Sequence, residues 1–156
     1  MTRPTYTAWD ALLASPTEPM PLAKRTYQLT RMWGGLAALE TAAVPTYDDW
    51  AVCSDAVNLM ETLLELAYME DASGLLDDAV AALAEAGRRH LEGGAIRMGG
   101  AGIQAVRAIL ADYAIALETL SQRTMVHCHR LTEKRIQAIL AGKPKPHDVN
   151  ITKGTK

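Results

Sequence analysis

The sequence predicts an all-α protein that forms a single helical bundle. Alanine and leucine, two of the strongest helix formers, supply 45 of the 156 residues. Apolar residues recur every three or four positions along five long segments, which is the period of an amphipathic helix. A chain of this length makes one domain, so we expect four to five amphipathic helices around one core. The domain organisation that follows is an N-terminal arm over residues 1–21, the bundle over residues 22–141, and an extended basic tail over residues 142–156.

The arm and the first long helix are separated by prolines. Residues 7–14 favour one or two helical turns, and Pro16, Pro19 and Pro21 prevent their continuation. A helix over residues 22–42 is then predicted from apolar residues at helical spacing: Leu29, Met32, Trp33, Leu36 and Leu39. Gly34 and Gly35 lie inside this helix, where glycines more often permit close packing or a kink than mark a ligand site.

The second and third helices have clear start and stop signals. Thr46 is a good N-cap, and the carboxylates of Asp48 and Asp49 favour the first turn that follows it. The stripe of this second helix contains Trp50, Cys53, Val57, Met60, Leu64 and Ala67. A third helix is predicted over residues 75–91, with acidic residues in its first turn, basic residues in its last turn, and Gly93-Gly94 after its end.

Two further helices follow a glycine-rich segment over residues 93–102. The fourth helix is expected to begin near Ile103, and its stripe contains Ile103, Val106, Leu110, Tyr113, Leu117 and Leu120. Ser121 can cap a fifth helix over residues 122–140, which Gly142 ends.

The motifs of common enzymes and metal sites are not visible in the sequence. No histidine has a glutamate three residues before it, and His127-Cys128-His129 would point in different directions on a helix. The glycines after residue 93 lack the Lys-Ser/Thr of a phosphate-binding loop, although Arg97 near a helix N-terminus could hold an anion. Cys53 and Cys128 lie on apolar stripes, which favours unreactive buried thiols. We therefore expect no catalytic residues, no cofactor, no metal and no enzymatic activity.

The sequence also lacks the signals of export and membrane insertion. The first nine residues are polar, and no run approaches 18 consecutive apolar residues. Two distant cysteines are typical of reduced thiols in a cytosol. The expected location is the cytoplasm, without membrane contact.

Charge is strongly segregated along the chain. Residues 1–120 carry a net charge of −8, whereas residues 121–156 carry +6. Between Arg31 and Arg88 there are eleven acidic residues and no Lys or Arg. Fields of opposite sign on one small protein steer partners and affect association rates.

Two sets of candidate contact residues follow from this segregation. The basic set contains Arg123, Arg130, Lys134, Arg135, Lys143 and Lys145. The acidic set contains Asp48, Asp55, Glu61 and Glu65. Three interpretations remain open: the basic end contacts phosphates, the acidic surface contacts a basic partner, or the two signs satisfy each other within the fold or across a dimer.

The run over residues 123–136, RTMVHCHRLTEKRI, follows an acidic body rich in alanine and leucine. In this it resembles small uncharacterised all-helical proteins of proteobacterial phages and plasmids. The resemblance implies a mobile-element context, in which small acidic proteins often act by binding host proteins. It transfers no residue roles.

The sequence therefore favours a non-enzymatic protein–protein interaction module that binds a host protein or a second copy of itself. The alternative is a nucleic-acid-associated regulator that uses residues 121–156. No aromatic residue is interleaved with these basic residues as single-strand binders require, which makes this the weaker hypothesis.

Overall fold

The computed structural model describes residues 3–142, and within this range every regular element is an α-helix. The six helices are α1 (Ala8–Leu13), α2 (Leu22–Thr41), α3 (Tyr47–Glu65), α4 (Leu76–Leu91), α5 (Gly100–Thr119) and α6 (Gln122–Leu140). The all-α bundle predicted from the sequence is confirmed. The expected four to five helices become six in the described part because the short segment of the arm is itself a capped helix.

Side-chain caps fix three of the helix starts. Thr7 and Asp10 form a capping box at α1, and Thr46 and Asp49 form another at α3. In both boxes the threonine hydroxyl accepts the backbone N–H of the third helical residue, and the aspartate accepts the N–H of the cap. Ser121 accepts the N–H of Thr124 at α6, so the caps expected at Thr46 and Ser121 are confirmed.

Two helix boundaries differ from the sequence-based expectation by two residues or more. Helix α3 ends at Glu65 rather than near Ala67, because Ala67 adopts a positive φ of 60° that no right-handed helix accommodates. Helix α5 begins at Gly100, three residues before Ile103, with Gly99 as its extended N-cap.

Helix α3 lies at the centre of the bundle. It packs against α2, α4, α5 and α6, and 11 of its 19 residues are buried. Gly35 allows α2 to approach it closely, since a Cβ at this position would lie 2.5 Å from Val52 Cγ2. The indole of Trp50 donates to the carbonyl of Leu83 over 2.9 Å, which ties α3 to α4. The central helix is therefore buried on most of its circumference.

Helix α5 is the one described helix that is long and apolar enough, by length and composition, to cross a membrane. In this structure it packs against α2, α3 and α4, and its buried residues include Leu110.

The arm is packed onto the bundle. Tyr6, Ala14 and Met20 are buried in the core. The backbone N–H groups of Gln122 and Arg123, at the start of α6, donate to the carbonyls of Glu18 and Ser15 over 2.7 and 2.9 Å. These bonds satisfy N–H groups that have no partner within the helix, so the arm also completes the N-terminus of α6.

Candidate functional site

The predicted contact residues occupy different environments in the structure. Asp48, Asp55 and Glu65 are exposed on α3, as expected for an acidic contact face. Of the basic set, Arg123 and Lys134 are exposed on α6 and Arg130 is half-buried. Lys143 and Lys145 lie outside the described residues.

Glu61 and Arg135 do not lie on contact surfaces. Both were expected to be exposed, and both are buried, with 8% exposure each. Arg135 Nη2 lies 3.3 Å from Glu61 Oε2 and 2.9 Å from the Asn58 carbonyl oxygen, to which it donates. Arg135 Nη1 donates to Thr62 Oγ1 over 2.8 Å and lies 3.9 Å from Glu65 Oε2. Part of the segregated charge is therefore paired within the fold, between α3 and α6.

The hydroxyl groups of Thr62 and Thr132, beside this ion pair, extend the contact between α3 and α6. Thr132 donates to the Cys128 carbonyl over 2.8 Å, so its oxygen is left to accept from Thr62 over 2.7 Å. The hydroxyl of Thr62 thus accepts from Arg135 and donates to Thr132, so both threonine hydroxyls are paired in a buried setting.

Cys128 and the two histidines beside it occupy three different environments on α6, and His129 is half-buried. Cys128 is buried and His127 is exposed. Burial raises the pKa of the Cys128 thiol to about 11 and that of Cys53 to about 12, which keeps both thiols protonated and weakly nucleophilic. Within residues 3–142, no three His, Cys, Asp or Glu side chains converge as metal ligands would.

Arg97, considered above as an anion ligand, is engaged elsewhere. Its Nη2 donates to the carbonyl oxygens of Ala42 and Ala43, over 2.5 and 2.8 Å, at the C-terminal end of α2. The guanidinium therefore caps a helix, where a cation is favoured by the dipole.

Helix α1 presents an apolar stripe to solvent that the sequence analysis did not single out. Trp9, Leu12 and Leu13 are 70%, 64% and 79% exposed. Their spacing of three and four residues places them on one face of the helix. Such spacing in the sequence is indistinguishable from that of a core-facing stripe, and only the packing of α1 against α6 shows which face is covered.

A groove of about 840 Å³ runs between the arm and α6. Its walls include residues 3–8 of the arm and, on α6, Arg130, Glu133, Lys134, Ile136 and Gln137. Arg3, Arg130 and Lys134 give it three cations against the single carboxylate of Glu133. We call the stripe of Trp9, Leu12 and Leu13, together with this groove, the arm–α6 surface.

A second cavity, of about 370 Å³, lies between α2, α3, α5 and α6 and shares Thr5, Glu133 and Ile136 with the groove. Its polar lining comprises Thr5, Gln28, Arg31, Asp55, Asn58, Tyr113, His129, Thr132 and Glu133. The His129 ring lies 5.3 Å from the Tyr6 ring between centroids. Burial lowers the pKa of His129 to about 4, against a smaller opposing effect of Glu133, so the imidazole is neutral at pH 7.

Comparison with known proteins gives no matching protein family, no matching curated protein and no matching solved structure.

Proposed function

We propose that this protein is a non-enzymatic protein-binding module whose arm–α6 surface docks an apolar, acidic segment of another protein. Two observations carry the proposal: the exposed stripe of Trp9, Leu12 and Leu13, and a groove with three cations that meets the same helix at Ala8. From the resemblance of residues 123–136 we infer that the partner belongs to a bacterial host and is met in its cytoplasm.

The apolar stripe supplies the affinity in this proposal. Tryptophan is among the residues that most often dominate binding energies at interfaces. Three large apolar side chains on one short helix form a contiguous patch of the kind that marks interaction sites, rather than the scattered apolar residues of an ordinary surface. Covering them with a partner removes their apolar area from water, which favours association.

The positive charge of the groove determines which partner binds in this proposal. Arg3, Arg130 and Lys134 favour carboxylates on the incoming segment, since complementary charge increases association rates and suppresses wrong partners. A second copy fits less well. In a two-fold dimer through this surface the stripe of one chain can meet the groove of the other, but Trp9, Leu12 and Leu13 offer no carboxylate to the three cations. We therefore assign the site to a different protein.

One of the cations on which the nucleic-acid alternative depends is not available for phosphate contact. Arg135, one of the cations assigned to phosphate contact, is buried against Glu61. Arg123, Arg130 and Lys134 remain as the described cations of α6 that could contact phosphates. Duplex binding through them would lose about 0.9 logarithmic units of affinity per phosphate contact for each tenfold increase in salt.

A peptide-display selection tests the proposal. A random peptide library is selected on the wild-type protein and counter-selected on Trp9→Ser/Leu12→Ser/Leu13→Ser. We expect enriched peptides that combine large apolar residues with Asp or Glu. The matched control, Leu22→Ser/Tyr27→Ser/Val44→Ser, changes three similarly exposed apolar residues elsewhere, and it should retain binding of these peptides.

Three results would contradict the proposal: enrichment of basic peptides, enrichment that does not depend on α1, or a dimer that the α1 variant dissociates. Tight, salt-sensitive binding of a DNA duplex that is lost in Arg130→Gln/Lys134→Gln would instead support the nucleic-acid alternative.

A further inference from the structure

We propose that the cavity between α2, α3, α5 and α6 is a binding site for a compact organic cation that carries several N–H donors, such as an alkylammonium or guanidinium group. This site is distinct in function from the arm–α6 surface, and its test needs no protein partner.

Unpartnered polar atoms in the cavity wall are the first observation. Gln28 Oε1 and His129 Nε2 are both buried, and within the described residues neither has a hydrogen-bond partner. Buried polar groups in native proteins are nearly always paired, so two orphans that line one cavity indicate a missing partner inside it. Gln28 Oε1 requires a donor, and the neutral imidazole of His129 offers either a lone pair or an N–H.

Charge is the second observation. Asp55 of α3 and Glu133 of α6 contribute two carboxylates to the cavity, and Arg31 of α2 contributes one guanidinium. In the described part of the chain, neither carboxylate has an ion-pair partner within 4.0 Å. Arg31 opposes the raised pKa of Asp55 and so acts on that carboxylate, but the lining still holds two carboxylates against one guanidinium. The unpaired charge of the cavity is therefore negative.

The type of cation follows from how the acceptors are spread. Glu133 accepts the backbone N–H of Thr5 through Oε1, and Asp55 lies on a different helix. A metal ion requires ligands that converge on one point, and within residues 3–142 no group of three does so. An ammonium or guanidinium group instead spreads three to five N–H donors over separated acceptors. A volume of about 370 Å³ is at the lower end for small-molecule sites and suits a compact ligand.

The electrostatic environment of Asp55 favours a cation in the cavity. Desolvation raises the pKa of Asp55, Arg31 opposes this rise and Glu133 adds to it. Burial also raises the pKa of the Tyr113 phenol, which keeps it a neutral donor and acceptor in the wall of the cavity. A bound organic cation would relieve the cost of holding the Asp55 carboxylate in this environment.

The experiment uses methylguanidinium and n-butylammonium as probes, with n-butanol and butyrate as neutral and anionic counterparts. Isothermal titration and ligand-observed NMR measure binding to the full chain at pH 7. We expect the cations to bind at least tenfold more tightly than butanol or butyrate. Asp55→Asn and Gln28→Leu should each weaken cation binding about tenfold or more, because hydrogen bonds to charged groups are among the stronger ones. The control, Asp48→Asn, removes a carboxylate that is exposed on the same helix, as Asp55 is, but does not line the cavity, and it should leave the affinity unchanged.

A second measurement does not depend on variants. The imidazole ¹⁵N signals of His129 in the wild-type protein should shift when a cation probe is added, while those of the exposed His127 should not. The proposal is overturned if cations bind no better than butanol, if Asp48→Asn weakens binding as much as Asp55→Asn does, or if the His129 signals stay fixed at 10-mM probe because water alone satisfies the cavity.

Discussion

Arg135 Nη2 lies 3.3 Å from Glu61 Oε2, in a buried contact that joins the last helix of the bundle to its central one. The guanidinium also donates to Thr62 and to the Asn58 carbonyl and lies 3.9 Å from Glu65, so one side chain of α6 contacts groups on α3 that span about two helical turns. A buried ion pair must compensate for the lost hydration of both charges, and it does so only when further hydrogen bonds satisfy the remaining donors.

Removal of Glu61 should therefore be costly. We expect Glu61→Ala to lower the free energy of unfolding by about 3 kcal/mol, because it removes from the buried Arg135 guanidinium a carboxylate that is closer than that of Glu65. Urea melts of the wild type and the variant measure the difference. The control is Glu65→Ala, which removes an exposed carboxylate one turn away and should cost less. Equal losses of unfolding free energy in the two variants would contradict the assignment of Glu61 to a buried ion pair with Arg135.

Replacing both members of the pair should be milder than removing one. A Glu61→Met/Arg135→Met protein keeps the volume and removes both buried charges, and we expect it to recover most of the stability that Glu61→Ala loses. A double variant less stable than Glu61→Ala would mean that the hydrogen bonds to Thr62 and Asn58 matter more than the charge pair.

Leu110 should be one of the most sensitive apolar positions. Its side chain is completely buried in α5, so Leu110→Ala should cost about 2–5 kcal/mol through lost burial and the cavity left behind. Ile115→Ala, on the same helix at a half-exposed position, should cost clearly less. Similar shifts of the two urea midpoints would mean that the faces of α5 are assigned wrongly.

His129 should make stability depend on pH. Its pKa is about 4 in the folded protein against about 6.5 when unfolded, so between these values the unfolded chain binds the extra proton. Its contribution is complete above pH 6.5 and decreases as the pH falls to 4, by about 3 kcal/mol in total. The raised pKa of Asp55 acts in the opposite direction, so the informative quantity is the difference between the wild type and His129→Gln.

Chemical unfolding of both proteins from pH 7.5 to pH 4 measures this difference. His129→Gln should lose less stability than the wild type on acidification, whereas the exposed His127→Gln should follow the wild type. Parallel curves for the wild type and His129→Gln would show that His129 takes up its proton without cost in the folded state.

Helix positions were predictable from the sequence because their signals are local. Thr46 and Ser121 are caps that act within three residues, and the stripe of α5 requires only a period. The end of α3 was missed because the left-handed conformation of Ala67 has no local signal of the kind a glycine would give.

The environment of Glu61 and Arg135 was not predictable in the same way. A stripe identifies one face of a helix for burial, but it does not show whether a second helix covers the opposite face. Helix α6 covers α3 on the side where Glu61 lies, and the charge segregation along the chain then becomes a pairing in space. Likewise, Gln28, Asp55 and His129 come from three helices, so their shared cavity is a consequence of packing that no spacing encodes.

The central claim, that the arm–α6 surface docks an acidic apolar segment, is tested most directly by one affinity comparison. A peptide from the display selection is titrated into the wild type and into Trp9→Ser/Leu12→Ser/Leu13→Ser, with circular dichroism to show that both are folded. We expect the variant to bind at least about 30-fold more weakly, as for the loss of hot-spot side chains, while its stability changes little because the three residues are exposed. An unchanged dissociation constant would contradict the claim.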